Sequence, residues 1–273
     1  MVLAWAGEHA FAMPVQTSRS RVHAPGAPAS ARLQTFGRRP IEAVRLPDVD
    51  PSLLGGIPAQ LAAAAREQLV TRTVRLEPGQ WEPGVGELDG DFRDWLGLLI
   101  LDGLIVRNVD VEGLRCCELL GPGDVLRPWD EDGGETLATV ATWRVLEDAK
   151  IALLDQAFAR RACRWPSVTS ELLRRTMSRS RSLSISLAIT QARRADVRLR
   201  DLFWHLADRW GRVTPRGVVL TANLTHSVIS QLTGLRRPTV SLTLAELERE
   251  GEIIRLSKDT WLINPGASDR CVA

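Results

Sequence analysis

Residues Leu224–Gly251 read LTHSVISQLTGLRRPTVSLTLAELEREG, and the order of apolar residues, glycine and proline in this stretch decides how the chain is read. Thr225 can cap a helix whose inward positions are Val228, Ile229 and Leu232, and Gly234 breaks it. A second helix opens at Arg236-Arg237-Pro238-Thr239, buries Val240, Leu244 and Leu247, and stops before Gly251. Two short helices joined by a tight glycine-containing turn are the plan of a helix-turn-helix. In that plan the second helix offers its N-terminal residues to base edges in the major groove. Ile253–Leu256, the turn Ser257-Lys258-Asp259 and Trp261–Ile263 then predict a hairpin, the wing.

The side chains in this segment suit duplex DNA. Arg237, on the first turn of the second helix, can donate two hydrogen bonds to guanine, and Arg236 can do likewise or grip a phosphate. Thr239 and Ser241 are short donors for phosphate or base edges, and Leu242 can press on a thymine methyl. Thr225 and His226 stand where backbone phosphates pass the first helix, and Lys258 sits at the wing tip.

Upstream of this segment, Asp196 is expected to cap an amphipathic helix carrying Leu199, Leu202, Phe203, Leu206 and Trp210, which Gly211 ends. Pro215-Arg216-Gly217 turns the chain into a strand over Val218–Ala222. Before that, Pro166 opens a helix running to about Ala192, roughly 40 Å at 1.5 Å per residue. Its apolar residues pair at helical spacing: Val168 with Leu172, Leu173 with Met177, Leu183 with Leu187, Ile185 with Ile189. A helix so long, with an apolar stripe, points to a homodimer interface. The arginines at 160, 161, 164, 174, 175, 179 and 181 read as its solvated face.

The first half of the chain has a different period. Segments rich in branched residues (70–76, 96–101, 104–109, 114–119, 125–129, 137–143 and 151–154) alternate with Pro78-Gly79, Asp102-Gly103, Glu112-Gly113 and Gly121-Pro122-Gly123-Asp124. Short strands joined by such turns predict an antiparallel sandwich or barrel, preceded by a short helix over 58–69. Residues 1–45 read as a flexible arm, basic from Thr17 to Arg39. The expected domains are therefore the arm 1–45, a β-barrel at 46–164, the long helix at 165–195, a winged helix at 196–266 and a tail at 267–273.

Composition excludes several classes. Net charge is only +2, so any nucleic-acid site must come from local clustering. Cys116, Cys117, Cys163 and Cys271 form no C-x-x-C pair, which argues against a disulfide framework, a zinc knuckle or an iron–sulfur site. No apolar run approaches the ~20 residues of a membrane span, and the N-terminus lacks an export signal, so a cytoplasmic protein is expected. His9, His23, His205 and His226 are scattered, and no P-loop, G-x-S-x-G or metal spacing occurs, so no catalytic site and no cofactor are expected.

From about Leu61 to Gly266 the chain resembles the Crp/Fnr family of bacterial regulators. The resemblance rests first on LTHSVISQLTGLRRPTVSLTLAELEREGEI and on WHLADRWGRV (Trp204–Val213), then more loosely on LLGPGDVLRPW (Leu119–Trp129) and LATVAT. It implies an N-terminal cyclic-nucleotide-binding-like jelly roll, a long dimerisation helix and a C-terminal winged helix. The implied function is that of a homodimeric transcription regulator on a palindromic operator, with RNA polymerase as a further partner. The family's base-reading arginine matches Arg237, while its usual glutamate neighbour is replaced by Pro238. The phosphate-binding cassette departs from the family pattern: RPWDEDGGETLATV places Thr136 where an arginine is expected and Leu137 where a hydroxyl is expected. Asp130, Glu131, Asp132 and Glu135 precede them, a setting that repels a cyclic phosphate, so no nucleotide-binding residue is carried across. A cyclic-nucleotide-responsive module acting on a partner protein is the alternative, and it requires an intact cassette.

Overall fold

The computed structural model describes residues 41–83, 92–131 and 139–264. The arm through residue 40, Asp132, Glu135, Thr136 and Leu137 of the cassette, and the tail with Cys271 lie outside the described residues.

Among the described residues the N-terminal half has nine strands: β1 (Glu42–Arg45), β2 (Val70–Leu76), β3 (Gly79–Trp81), β4 (Gly97–Asp102), β5 (Ile105–Val111), β6 (Leu114–Leu120), β7 (Val125–Leu126), β8 (Thr139–Val145) and β9 (Ala149–Leu154). They form one sheet in the order β1-β2-β9-β4-β7 and another in the order β3-β8-β5-β6, with every pairing antiparallel. This is the expected jelly-roll sandwich. Its core is aromatic as well as aliphatic: Trp81 and Trp143 meet edge to face with centroids 5.6 Å apart, among buried Val74, Leu98, Ile105 and Ile151. Two short helices, α1 (Leu46–Val49) and α2 (Ala59–Gln68), close one side.

Several boundaries differ from the sequence reading. Glu42–Arg45 is a strand paired to β2 (Glu42 with Thr73, Arg45 with Val70), so the arm's last residues belong to the sheet. The strand expected over 125–129 stops at Leu126, because Pro128 has no N–H to offer a ladder and instead opens a 3-10 turn. The strand β3 was not anticipated; three residues beginning at a glycine give too short a pattern to read.

After α3 (Gln156–Ala162), the helix α4 (Pro166–Gln191) runs for 26 residues, with Pro166 in its first turn. Val168 and Leu172 are buried against the sandwich, whereas Leu173, Met177 and Leu187 are 61%, 66% and 65% exposed. The arginines here are not simply a solvated face. Arg175, only 8% exposed, donates to Asp50 at 2.6 Å, Ser52 at 2.6 Å and Glu171 at 2.9 Å. Arg179 grips both oxygens of Glu118 on β6 at 2.8 and 2.9 Å, and Arg161 donates to the Val70 carbonyl at 2.7 Å. Among the described residues no helix is long and apolar enough to cross a membrane.

These bonds carry a pH dependence. Hydrogen bonds from Arg174, and secondarily from Arg175, hold the Glu171 carboxyl down to about 2. A carboxyl depressed in the fold contributes stability above the ordinary carboxylate range and loses it as pH falls toward the depressed value. Melting temperature is therefore expected to decline below about pH 4.5, and Glu171→Gln to make that decline shallower. Parallel acid-limb slopes in thermal melts of the two proteins would show that Glu171 does not anchor α4.

Candidate nucleic-acid interface

The C-terminal domain begins with α5 (Ala195–Trp210). Asp196 does not cap it. Arg194 holds the cap position, and Asp196, inside the first turn, accepts two bonds from Arg194 at 3.0 and 2.7 Å. Gly211 does end the helix, but in extended backbone (φ −74°) and for a steric reason: a Cβ there would lie 2.5 Å from the Ala207 carbonyl oxygen and 2.6 Å from Val218.

A four-stranded sheet follows in the order β10-β11-β13-β12, from β10 (Arg212–Thr214), β11 (Gly217–Thr221), β12 (Ile253–Arg255) and β13 (Thr260–Ile263). Between β11 and β12 lie α6 (His226–Thr233) and α7 (Arg237–Arg249). Thr225 caps α6, accepting from the Val228 N–H at 3.2 Å. Gly234 ends α6 in the left-handed region at φ 69°, where a β-carbon would be strained. Four bonds fix the turn to α7 among the described residues: Ser230 Oγ donates to the Leu235 carbonyl at 2.6 Å, Thr233 Oγ1 to the Ile229 carbonyl at 2.7 Å, the Leu235 N–H to Thr233 Oγ1 at 3.3 Å, and Arg198 to the Thr233 carbonyl at 2.9 Å. Val228, Ile229, Leu232, Val240, Leu244 and Leu247 all enter one core with Leu199, Phe203 and Leu206 of α5 and with Trp261 of the wing sheet. That burial is what holds the two helices at a fixed angle.

The expected reading residues are then placed as follows. Arg236 is the N-cap of α7 and Arg237 its first residue; both are exposed, and among the described residues neither guanidinium has a partner. No acid lies in the first turn of α7, so its free N–H groups and the two arginines present one positive end. Leu242 is 70% exposed and Thr239 half-buried. Lys258 is exposed at the wing, whose tip is shaped by a residue the sequence reading missed. Arg255 donates to the carbonyls of Ser257 at 3.1 Å and Lys258 at 2.7 Å while stacking over Trp261. A bond of 2.6 Å from the Ala222 N–H to the Asp259 carbonyl ties the wing to the segment leading into Thr225 and His226. The start of α6 and the wing tip are thereby brought close.

Ser241 and His226 are brought together, 2.8 Å apart between Oγ and Nδ1. Ser241 Oγ also donates to the Arg237 carbonyl at 3.1 Å. A hydroxyl has one proton, which goes to the Arg237 carbonyl or to His226 Nδ1, and both partners lie within the protein. Ser241 therefore links the start of α6 to the first turn of α7, and its hydroxyl proton is already committed within the protein.

A second feature not foreseen is the seam between this domain and the jelly roll. Arg209 donates to both oxygens of Asp124 at 2.7 and 2.6 Å and to the Leu119 carbonyl at 3.1 Å. It also lies over the Trp210 ring, whose indole N–H donates to Pro122 at 3.2 Å. Burial raises the Asp124 carboxyl, while Arg209 and the Gly121 N–H pull it back. Trp210 packs so closely on Gly121 that a Cβ there would lie 2.6 Å from the ring. Leu104, Val106 and Leu119 of the jelly roll belong to the same buried cluster as the helices of the helix-turn-helix.

Cys116 and Cys163 are exposed, and burial pushes the Cys117 thiol up to about 12.

Residues 197–266 match the family described as the Crp-like helix-turn-helix domain. Curated protein sequences give no match. Among solved structures, the chain is similar to a CooA variant from Carboxydothermus hydrogenoformans, at 18% identity and TM-score 0.53, covering 81% of this chain and 91% of that one. It is also similar to a cyclic nucleotide-binding domain containing protein from Listeria monocytogenes EGD-e, at 17% identity and TM-score 0.54, covering 80% and 97% respectively. The resemblance read from the sequence thus holds for the whole architecture and for the helix-turn-helix domain.

Proposed function

We propose that this DNA-binding regulator, built on a Crp-like helix-turn-helix, acts as a symmetric homodimer on a palindromic operator. Its jelly roll, on this reading, does not take cyclic AMP or cyclic GMP in the usual way. The observation that carries the reading is the pair of exposed guanidiniums of Arg236 and Arg237, without a partner among the described residues, at the start of a helix packed against α5 and α6. An exposed arginine couplet at a helix N-terminus with no acid nearby is poised for guanine and phosphate together.

The dimer is supported by the exposed stripe of Leu173, Met177 and Leu187 along α4. Two-fold symmetry in the protein matches two half-sites in the DNA. The cyclic-nucleotide reading is disfavoured by Thr136 in the cassette, where a buried phosphate would need a paired cation. Operator DNA as the substrate of regulation places the protein in the cytoplasm and makes RNA polymerase a natural further partner.

Selection of duplexes from a random pool, followed by titration at several salt concentrations, tests the assignment. Enrichment of a palindrome without added nucleotide is expected, with affinity falling as salt rises. Calorimetry with both cyclic nucleotides is expected to show no micromolar binding. Failure to enrich any sequence, together with tight nucleotide binding, would favour the module that acts on a partner protein.

A further inference from the structure

The outward face of α7 is short of hydrogen-bonding groups. Thr239 is half-buried and the Ser241 hydroxyl is held between the Arg237 carbonyl and His226, so the two exposed arginines are the most prominent donors at this end of the helix. Beside them, exposed Pro238 and Leu242 stand four positions apart and therefore one above the other on the same helix face. Leu242 keeps 70% of its surface in water although its neighbours at 243 and 244 are buried. A leucine so placed, one turn beyond Pro238 on the helix that carries the reading arginine, keeps its apolar surface available to a base edge.

We propose that Pro238 and Leu242 read thymine by its C5-methyl group, so that each half-site carries a thymine beside the guanine contacted by Arg237. The inference rests on the DNA-reading assignment of α7 and deepens it by naming the bases. In the major groove only thymine offers a methyl; cytosine carries a hydrogen at the same C5 position. Leu242 attracts the methyl by burial and gains nothing comparable from cytosine, whose C5 carries only a hydrogen. One helical turn rises about 5.4 Å and base pairs are stacked about 3.4 Å apart, which places the thymine within two steps of the guanine.

Deoxyuridine differs from thymidine only in lacking this methyl, so it isolates the contact. Each thymine of a duplex recovered by selection would be replaced in turn by deoxyuridine, and affinity measured for the full-length wild type and for Leu242→Ala. Burying one methyl-sized group is worth about 0.8 kcal/mol, or about fourfold in affinity. The wild type is expected to lose about fourfold at one thymine per half-site and about 15-fold when both half-sites are changed. Leu242→Ala, an exposed position that leaves the core intact, is expected to bind more weakly and to be indifferent to the same replacement. Neutral deoxyuridine at every thymine, or an equal penalty in the variant, overturns the methyl contact while leaving α7 as the reading helix. If selection recovers no sequence at all, the DNA-reading assignment falls and this inference with it.

Discussion

Replacing Leu173 and Leu187 together by glutamate is expected to give a folded monomer that binds operator at least 100-fold more weakly. The two leucines lie on one face of α4, 61% and 65% exposed, with Met177 between them at 66%. Ser180 and Ser184 complete the row, and both are exposed and small enough to let a second helix come close. Leu183, 36% exposed, flanks the row. In a two-fold pairing each glutamate would approach its own copy, so like charges would meet in a seam that must exclude water. Loss of the pairing removes the second half-site contact, which otherwise acts at an effective concentration of about millimolar. Light scattering gives the oligomeric state and circular dichroism the integrity of the fold. A variant that still scatters as a dimer, with unchanged operator affinity, would place the interface elsewhere.

The helix-turn-helix was legible because its instructions are local. Thr225, Gly234 and the apolar positions of α6 and α7 each act within a turn or two, and each does what its residue type dictates. Asp196 failed as a cap for an equally local reason: the chain is already extended at Arg194, so the helix starts one residue before the acid. The remaining misses are contacts between distant parts of the sequence. Asp124 was legible as part of the Gly-Pro-Gly-Asp turn, where it does accept from the Gly121 N–H at 2.8 Å, but nothing local announces Arg209, 85 residues away. Arg179 likewise reaches Glu118 across 61 residues and Arg175 reaches Asp50 across 125, so these two looked solvated because partners lie on other elements. Ser241 was read as a DNA contact because a serine on a reading helix usually points outward. It also bonds to His226, 15 residues earlier on the neighbouring helix, a link that nothing local announces.

Arg237→Ala is expected to lower operator affinity by about 1–3 kcal/mol per half-site and to relax discrimination at one base pair in each. In a symmetric dimer the two losses add when the half-sites are independent, giving about 2–6 kcal/mol for the full operator. The geometry makes the loss specific. Arg237 leads α7, its guanidinium is uncommitted in the free protein, and Pro238 beside it offers no side-chain hydrogen bond to steer or replace it. Arg237→Lys should recover little, because an ammonium cannot present two parallel donors to guanine N7 and O6. Lys258→Ala should behave differently: it removes a single charge from the wing tip, weakens all duplexes alike and lowers the salt slope by about one. Measured against a full set of single-base operator variants, the two proteins separate base reading from phosphate contact. Full discrimination retained by Arg237→Ala would transfer the reading role to Arg236, which is equally exposed at the cap of the same helix.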